Sequence, residues 1–293
     1  MTFDMTKDPP FDVTCFGAAH VDLIAQAEET LVPFSSTPGR IMRAVGGVAS
    51  NVARQLARQE VSVVIVSQVG QDREGDFVCE TLNQTGVNTD QILRQENVAT
   101  GCYLAIEDTA GDLAMAVSDT HALLSIDARD LLAAGLQNTQ ARYWFLDTNL
   151  TADMITELTA IDHHPPVAID AVSVSKAVRL RANLTDHALI FCNKDEAEAL
   201  LEQKFSSTWE TGQSMAEHGI KASVITDGPR PLCVQSGKEI KPIQVPPVDV
   251  SSVTGAGDAL IAGTLAGLIE GLPLPTACLR GISAAAQQLT RPG

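Results

Sequence analysis

The chain has 293 residues, 45% of them hydrophobic but only 4% aromatic, so it can bury a large aliphatic core within one α/β unit. Acidic residues outnumber basic ones 36 to 20, and the net charge of -16 argues against nucleic acid and anionic membrane surfaces as partners. A phosphate-bearing ligand must then be held by local backbone donors or a metal, not by a general basic field.

Taken in chain order, FDVTCFGAAHVD opens with a β-branched strand, after which come Gly17 and Asp22. A carboxylate there is placed to take two hydroxyls of a ribose; an ordinary loop acid is the alternative. Residues 20–45 are polar and carry Pro33, Pro38 and Gly39, which breaks the rhythm of the chain. VGGVASNVARQLARQ then places Gly46-Gly47 before a helix with Asn51 in its first turns. Either the glycine amides and Asn51 grip sugar hydroxyls, or this is a plain glycine turn. VSVVIVSQVG predicts a buried strand and DFVCETLNQ a helix, and residues 99–118 (TGCYLAIED, GDLAMAVSD) read as paired strands. A small accessory sheet built from 20–45 and 99–118 would explain both interruptions.

The βα rhythm resumes with ARYWFLD, a helix around 151–161, PVAIDAV, a helix near 174–183, ALIFCN, a helix from Lys194 to about Glu202, and ASVITDG. Continuous apolar strands alternating with helices predict a parallel sheet covered on both faces, with ligands at the carboxyl ends of the strands. Asn193 and Glu196 sit three apart at a strand-to-helix junction, the spacing of a capping box with Asn at the N-cap. Thr226 and Gly228 follow a buried strand. Asp162-His163-His164 precedes Pro165-Pro166 and reads as a surface loop rather than a metal site.

TGAGDALIAGTLAGLIE starts a helix near Ala256. A helix start leaves backbone N–H groups unpaired and attracts anions, and Gly255 and Gly257 put no side chain in the way. Asp258, one residue on, is placed to accept a proton from an attacking hydroxyl; the alternative is a glycine-softened turn with an acid on the helix dipole. The spacing fits neither a dinucleotide fingerprint nor a Walker loop. A final helix, SAAAQQLTRPG, is expected to stop at Pro292.

Together the early Gly-Gly/Asn element, the central N-x-x-E and the late G-A-G-D resemble the ribokinase-like (PfkB) carbohydrate kinases over roughly residues 12–290. The resemblance implies a Rossmann-like three-layer α/β/α sandwich spanning 1–293 with a small β-sheet lid from 20–45 and 99–118. It also implies transfer of the γ-phosphate of ATP to a sugar or nucleoside hydroxyl, with magnesium and a monovalent ion such as potassium. Asp258 would be the catalytic base, the amides of Gly255, Ala256 and Gly257 the anion hole, and Asn193 and Glu196 the holders of magnesium through waters. Asn193, Thr226, Gly228, Thr254, Gly255 and Gly257 would line the nucleotide, and Asp22, Gly46, Gly47 and Asn51 would hold the acceptor. The family pattern D-T-T-G-A-G-D is here Ser252-Val253-Thr254-Gly255, without the first aspartate.

The pseudouridine kinase branch also lacks that aspartate. GGVASNVARQLARQ is similar to its G-G-V-x-x-N-x-A-x-x-L-A-R, AIDAVSVSKAVRL resembles its D-P-V-S-x-x-K, and AVSDTHALLSI resembles its lid exit. This implies pseudouridine as acceptor; ribose, a hexose or a purine nucleoside, or a non-catalytic sensor on the same scaffold, remain open. Asp119, Thr120, Ser173 and Lys176 are candidates to read the base, although Lys176 and Arg179 equally suit a solvated helix face. Family members dimerise through the lid, so a homodimer is among the expected partners.

Six cysteines (15, 79, 102, 192, 233 and 278) form no C-x-x-C pair and suit reduced, buried thiols. The polar start MTFDMTKDPP is unlike a signal peptide, and no run approaches the about 18 apolar residues of a membrane span, so a cytoplasmic location is expected.

Overall fold

The computed structural model describes residues 10–184, 189–249 and 254–290. Ser252, Val253 and Pro292 lie outside the described residues.

The first half of the chain runs β1 (Val13–Phe16), β2 (His20–Ala27), β3 (Gly39–Gly46), α1 (Val48–Ala57), β4 (Val63–Gly70), α2 (Arg73–Gln84), β5 (Ile92–Gln95), β6 (Cys102–Glu107), β7 (Leu113–Asp119), α3 (His121–Leu124) and α4 (Ala128–Gln137). It continues with β8 (Tyr143–Asp147), α5 (Ala152–Thr159), β9 (Val167–Asp170), α6 (Val174–Ala177), a 3₁₀ helix (Val178–Asn183), β10 (Leu189–Asn193), α7 (Lys194–Leu201) and α8 (Thr208–Glu217). Last come β11 (Ala222–Thr226), β12 (Leu232–Ser236), β13 (Glu239–Ile243), α9 (Ala256–Ile269) and α10 (Leu274–Leu289).

Nine strands form the main sheet in the order β13-β12-β11-β10-β9-β8-β1-β4-β5. Alternation along each strand feeds two cores. In β1, Val13 and Cys15 join the core under α1, α2, α9 and α10, while Phe16 joins the core under α3 to α8. The result is a three-layer α/β/α sandwich, as expected from the sequence. From β5 to β11 every pairing is parallel, but β12 and β13 return antiparallel. The wholly parallel sheet expected from the sequence is therefore a mixed one. The chain after β11 turns back through short loops, Gly237 at φ 56 among them, with no crossover helix to carry it to the next parallel position.

A second, four-stranded sheet has the order β3-β2-β6-β7. Register puts Asp22, Ala44, Tyr103 and Ser118 on one face and Leu23, Arg43, Leu104 and Val117 on the other. Helix α2 reaches the latter face, where the Arg43 guanidinium lies 3.8 Å from the Phe77 ring centroid and pairs with Glu74.

The helix expected over 174–183 is one α turn followed by 3₁₀ geometry. Its buried positions, Ala177, Leu180 and Asn183, recur every third residue, which is the period of a 3₁₀ helix. Among the described residues no helix is long and apolar enough to cross a membrane.

Candidate active site

Gly255 caps the start of α9 with φ 76 and ψ 5, a left-handed conformation that costs an L-residue about 1–2 kcal/mol. The chain enters the helix through this turn, so the amides of Ala256 and Gly257 stand at a helix start without intrahelical acceptors. A Cβ at Gly257 would meet no atom within 4 Å, so that side of the helix start is open.

Asp258 comes next and is only 9% exposed. Its Oδ2 accepts from Asn51 Nδ2 at 2.8 Å, across 207 residues of sequence. Asn51 Oδ1 accepts in turn from Arg54 Nη2, which also donates to Val45 O at 2.8 Å. The three side chains form a relay that fixes the carboxylate. Burial pushes the Asp258 carboxyl up to about 7; the Asn51 hydrogen bond and Arg54 oppose the rise, while Asp147 and Asp22 add to it. A carboxyl with that affinity for a proton is matched to general base work near neutral pH.

Asp22, on β2, lies over the end of β3. A Cβ at Gly46 would fall 2.0 Å from Asp22 Oδ1, so only glycine admits the carboxylate there. Gly47 has φ 97, and a Cβ on it would fall 2.2 Å from Ala18 O. These two glycines let the β1–β2 turn, β3 and the start of α1 meet at one point. His20 Nε2 stands 3.1 Å from Asp22 Oδ1. Beneath them the fully buried Asp147, the last residue of β8, accepts from the amides of Ala18 at 3.0 Å, Ala49 at 2.9 Å and Asn149 at 2.9 Å. It thereby ties the helix carrying Asn51 to the sheet.

A cavity opens beside this group at the carboxyl ends of β9, β10 and β11, lined by Asp170, Asn193, Glu196, Thr226 and Gly257. Asn193 Oδ1 accepts from Glu196 N at 2.9 Å and Glu196 Oε2 from Asn193 N at 2.8 Å, so the capping box is formed and its two residues also face the cavity. Burial raises the Glu196 carboxyl, and burial with the negative neighbours Glu196, Asp258 and Asp147 holds that of Asp170 well above the usual range. Mutually repelling acids beside bare amides suit a divalent cation carried with a polyphosphate. Among the described residues no three acidic, His or Cys side chains could hold a metal by themselves. That donor set fits magnesium, which keeps most of its waters and binds through one or two carboxylates and substrate phosphates.

Of the residues singled out in the sequence, Gly255, Ala256, Gly257 and Asp258 form one end of the cleft. Asn51, Asp22, Gly46 and Gly47 gather opposite them, and Asn193, Glu196 and Thr226 line the adjoining cavity. Gly228, φ 58, lies two residues beyond Thr226 with open space around it. Thr254 is exposed and its carbonyl accepts from Gln288 Nε2 at 3.3 Å.

Lys176 and Arg179 are not a solvated face. Lys176 is half-buried and donates to Asn149 Oδ1 at 2.6 Å, and Arg179 Nη1 donates to the carbonyls of Thr148, Asn149 and Leu150. Asp119 is committed to His121, whose hydrogen bonds hold its carboxyl below the usual range; Thr120 and Ser173 occupy the N-cap positions of α3 and α6. His164 stacks on Trp144 with centroids 5.6 Å apart. All six cysteines are free thiols. Sequence reasoning missed Asp147, Asp170, Arg54 and His20. A signal existed for the first two, since each is the single acid ending an apolar strand, in YWFLD and VAID.

With that geometry in place, the pfkB family carbohydrate kinase profile matches residues 11–293. The chain belongs to the pfkB carbohydrate kinase family. Within the family it is 29% identical over 269 residues to a pseudouridine kinase of Escherichia coli, covering 89% of this chain and 85% of that protein. A carbohydrate kinase structure from Agrobacterium tumefaciens superposes with a TM-score of 0.82 at 31% identity, over 94% of this pfkB chain and 89% of the other. A structure of Arabidopsis thaliana ribokinase complexed with ribose and ATP has the same fold, with TM-score 0.85 and 19% identity over 97% and 94% of the two chains. As a family member the chain is a phosphotransferase acting on an alcohol group of a sugar or nucleoside.

Proposed function

We propose that this chain is an ATP-dependent kinase that phosphorylates the 5′-hydroxyl of pseudouridine, giving pseudouridine 5′-phosphate and ADP. The observation that carries the chemistry is Asp258, buried, with its carboxyl pushed up to about 7 and held by Asn51 beside the bare start of α9. The acceptor assignment draws on the E. coli relative and on the stretches around Asn51 and Lys176.

In the proposed reaction Asp22, Gly46, Gly47 and Asn51 hold the acceptor, and Asn51 aligns the Asp258 carboxylate. Asp258 takes the proton of the 5′-hydroxyl as its oxygen forms the new bond to the γ-phosphorus, and the bond to the bridging oxygen breaks to release ADP. The amides of Gly255, Ala256 and Gly257 receive the charge on the transferring group. Thr226, Gly228 and Thr254 lie along the nucleotide. Magnesium, when bound, neutralises phosphate charge; Asp170, Glu196 and Asn193 would hold it, the last two through its waters. The small sheet would close as a lid and exclude water, so hydrolysis of ATP without acceptor stays low. Ile41, Leu104, Met115 and Val117 share the sheet face opposite Asp22 and are each at least 40% exposed, which suits a homodimer through this sheet.

One panel tests the reading: pseudouridine, uridine, ribose, a hexose and adenosine, each with ATP and magnesium, with potassium exchanged for choline in a parallel set. The expected result is pseudouridine leading by a wide margin, and Asp258→Asn lowering turnover by about 10²–10⁴-fold. Ribose or adenosine leading would overturn the acceptor and keep the kinase; unchanged turnover in Asp258→Asn would overturn the base.

A further inference from the structure

Asp22 meets the cleft with one of its two oxygens already shut away. Its Oδ1 is buried from solvent and accepts no aligned hydrogen bond, although the side chain as a whole is 20% exposed. A buried carboxylate oxygen left without a donor is costly, so whatever stands beside it matters. What stands there is His20, with Nε2 at 3.1 Å and a side chain only 14% exposed.

The strand itself brings the two together. His20 and Asp22 lie two residues apart on β2, so both point to the same face of the small sheet. His20 is paired in register with Gly46 on β3, and on the other side Gly101 leads into β6, its carbonyl accepting from Val21 N at 3.0 Å. A Cβ at Gly101 would fall 3.3 Å from His20 Cβ, and one at Gly46 would fall on the Asp22 carboxylate. Glycine on both neighbours thus leaves a slot in which imidazole and carboxylate meet, where the small sheet joins the start of α1.

We infer that His20 is a positioning residue for Asp22: its Nε2–H holds Oδ1 and turns the carboxylate so that Oδ2 alone receives a ring hydroxyl of the acceptor. The acceptor's part in this rests on the kinase reading; the pair itself rests on geometry. Imidazole supplies the donor both as the Nε2–H tautomer and as imidazolium. A carboxylate with two free oxygens grips a vicinal diol with one oxygen per hydroxyl. With Oδ1 committed to His20, the two hydroxyls of such a diol contribute unequally. Asp22 is also within electrostatic reach of Asp258, whose carboxyl it helps to raise, so a hydroxyl gripped by Oδ2 brings the acceptor alongside the proposed base.

Acceptor kinetics and the imidazole signal test the pair. Initial rates at saturating ATP are measured for pseudouridine and for its 2′-deoxy and 3′-deoxy analogues, in the wild type, His20→Leu and His20→Gln. Leucine fills the slot without a donor, and glutamine restores an N–H at similar reach. The expected result is an acceptor KM raised at least about tenfold in His20→Leu with kcat within about threefold, and most of that loss recovered in His20→Gln. With the analogue lacking the hydroxyl that Oδ2 receives, His20→Leu should cost less than about twofold in KM, because that grip is already gone. An unchanged KM in His20→Leu, no recovery in His20→Gln, or an equal loss with pseudouridine and both analogues would overturn the positioning role. Independently of turnover, and of how well His20→Leu folds, proton–nitrogen correlation spectra should show the His20 Nε2 signal shifting in Asp22→Ala. An unshifted signal would overturn the contact itself. A shifted signal with no phosphorylation of any acceptor by the wild type would overturn the kinase reading, and the acceptor's part with it, while the pair stands.

Discussion

Removing the amide of Asn51 separates what it does for Asp258 from what it does for the acceptor. Asn51 Nδ2 donates to Asp258 Oδ2 at 2.8 Å, and this bond works against the burial that lifts the carboxyl to about 7. A hydrogen bond to a charged group contributes about 1.5–3 kcal/mol. At about 1.4 kcal/mol per pH unit, its loss in Asn51→Ala should raise the Asp258 pKa by about 1–2 units. The base must be ionised to act, so the acid limb of kcat/KM for the acceptor, near pH 7 in the wild type, moves to about pH 8–9 in the variant. At pH 7 only about 1–10% of the carboxyl is then ionised, against about half in the wild type. A lost contact to a sugar hydroxyl lowers the plateau equally at every pH and moves no limb. The assay is initial rate at low acceptor and saturating ATP from pH 5.5 to 10, in buffers of constant ionic strength. A uniform drop with an unmoved limb would refute the relay and leave Asn51 as a substrate contact only.

The remaining expectations concern the same cleft. Gly257→Val should fold, because its Cβ meets open space, yet lose turnover by at least about 10²–10³-fold, as when an oxyanion donor is removed; a folded, active variant would refute the backbone cradle. Asp258→Asn should be more stable than the wild type at pH 8. The folded carboxyl binds its proton up to about pH 7 while the unfolded one releases it near 3.8, so wild-type stability falls as pH rises through that window, by up to about 4 kcal/mol, and the Tm difference should vanish below pH 4. Glu196→Gln keeps a capping side chain but removes a charge from the cavity, so the magnesium concentration for half-maximal rate should rise severalfold with the Tm at pH 7 little changed; an unaltered magnesium requirement would remove Glu196 from metal binding.

What could be read in the sequence was whatever the chain encodes within a few residues. Gly255-Ala256-Gly257-Asp258 and Gly46-Gly47 announce their backbone needs locally, and the apolar runs announce the strands whose ends carry Asn193 and Thr226. The two readings of Asn193 and Glu196 looked like alternatives only because a sequence shows one partner at a time. In the fold the capping box is formed and both residues also line the cavity, so the cap leaves the proposed metal role open rather than excluding it. By contrast, Asp147 works through Ala18 and Ala49, which lie 129 and 98 residues away, and Lys176 and Arg179 through carbonyl groups about 30 residues away. No spacing rule reaches that far, so the acid ending YWFLD marked its position but not its partners, and cations on a short helix looked like surface. Asp147 was the more consequential omission. One carboxylate there joins β8, the Gly17–Ala18 turn and the start of α1, and it also raises the proton affinity of Asp258. The acid that ties these backbone segments together therefore also raises the proton affinity of Asp258, the proposed base, so a substitution at Asp147 is expected to change local geometry and that affinity together.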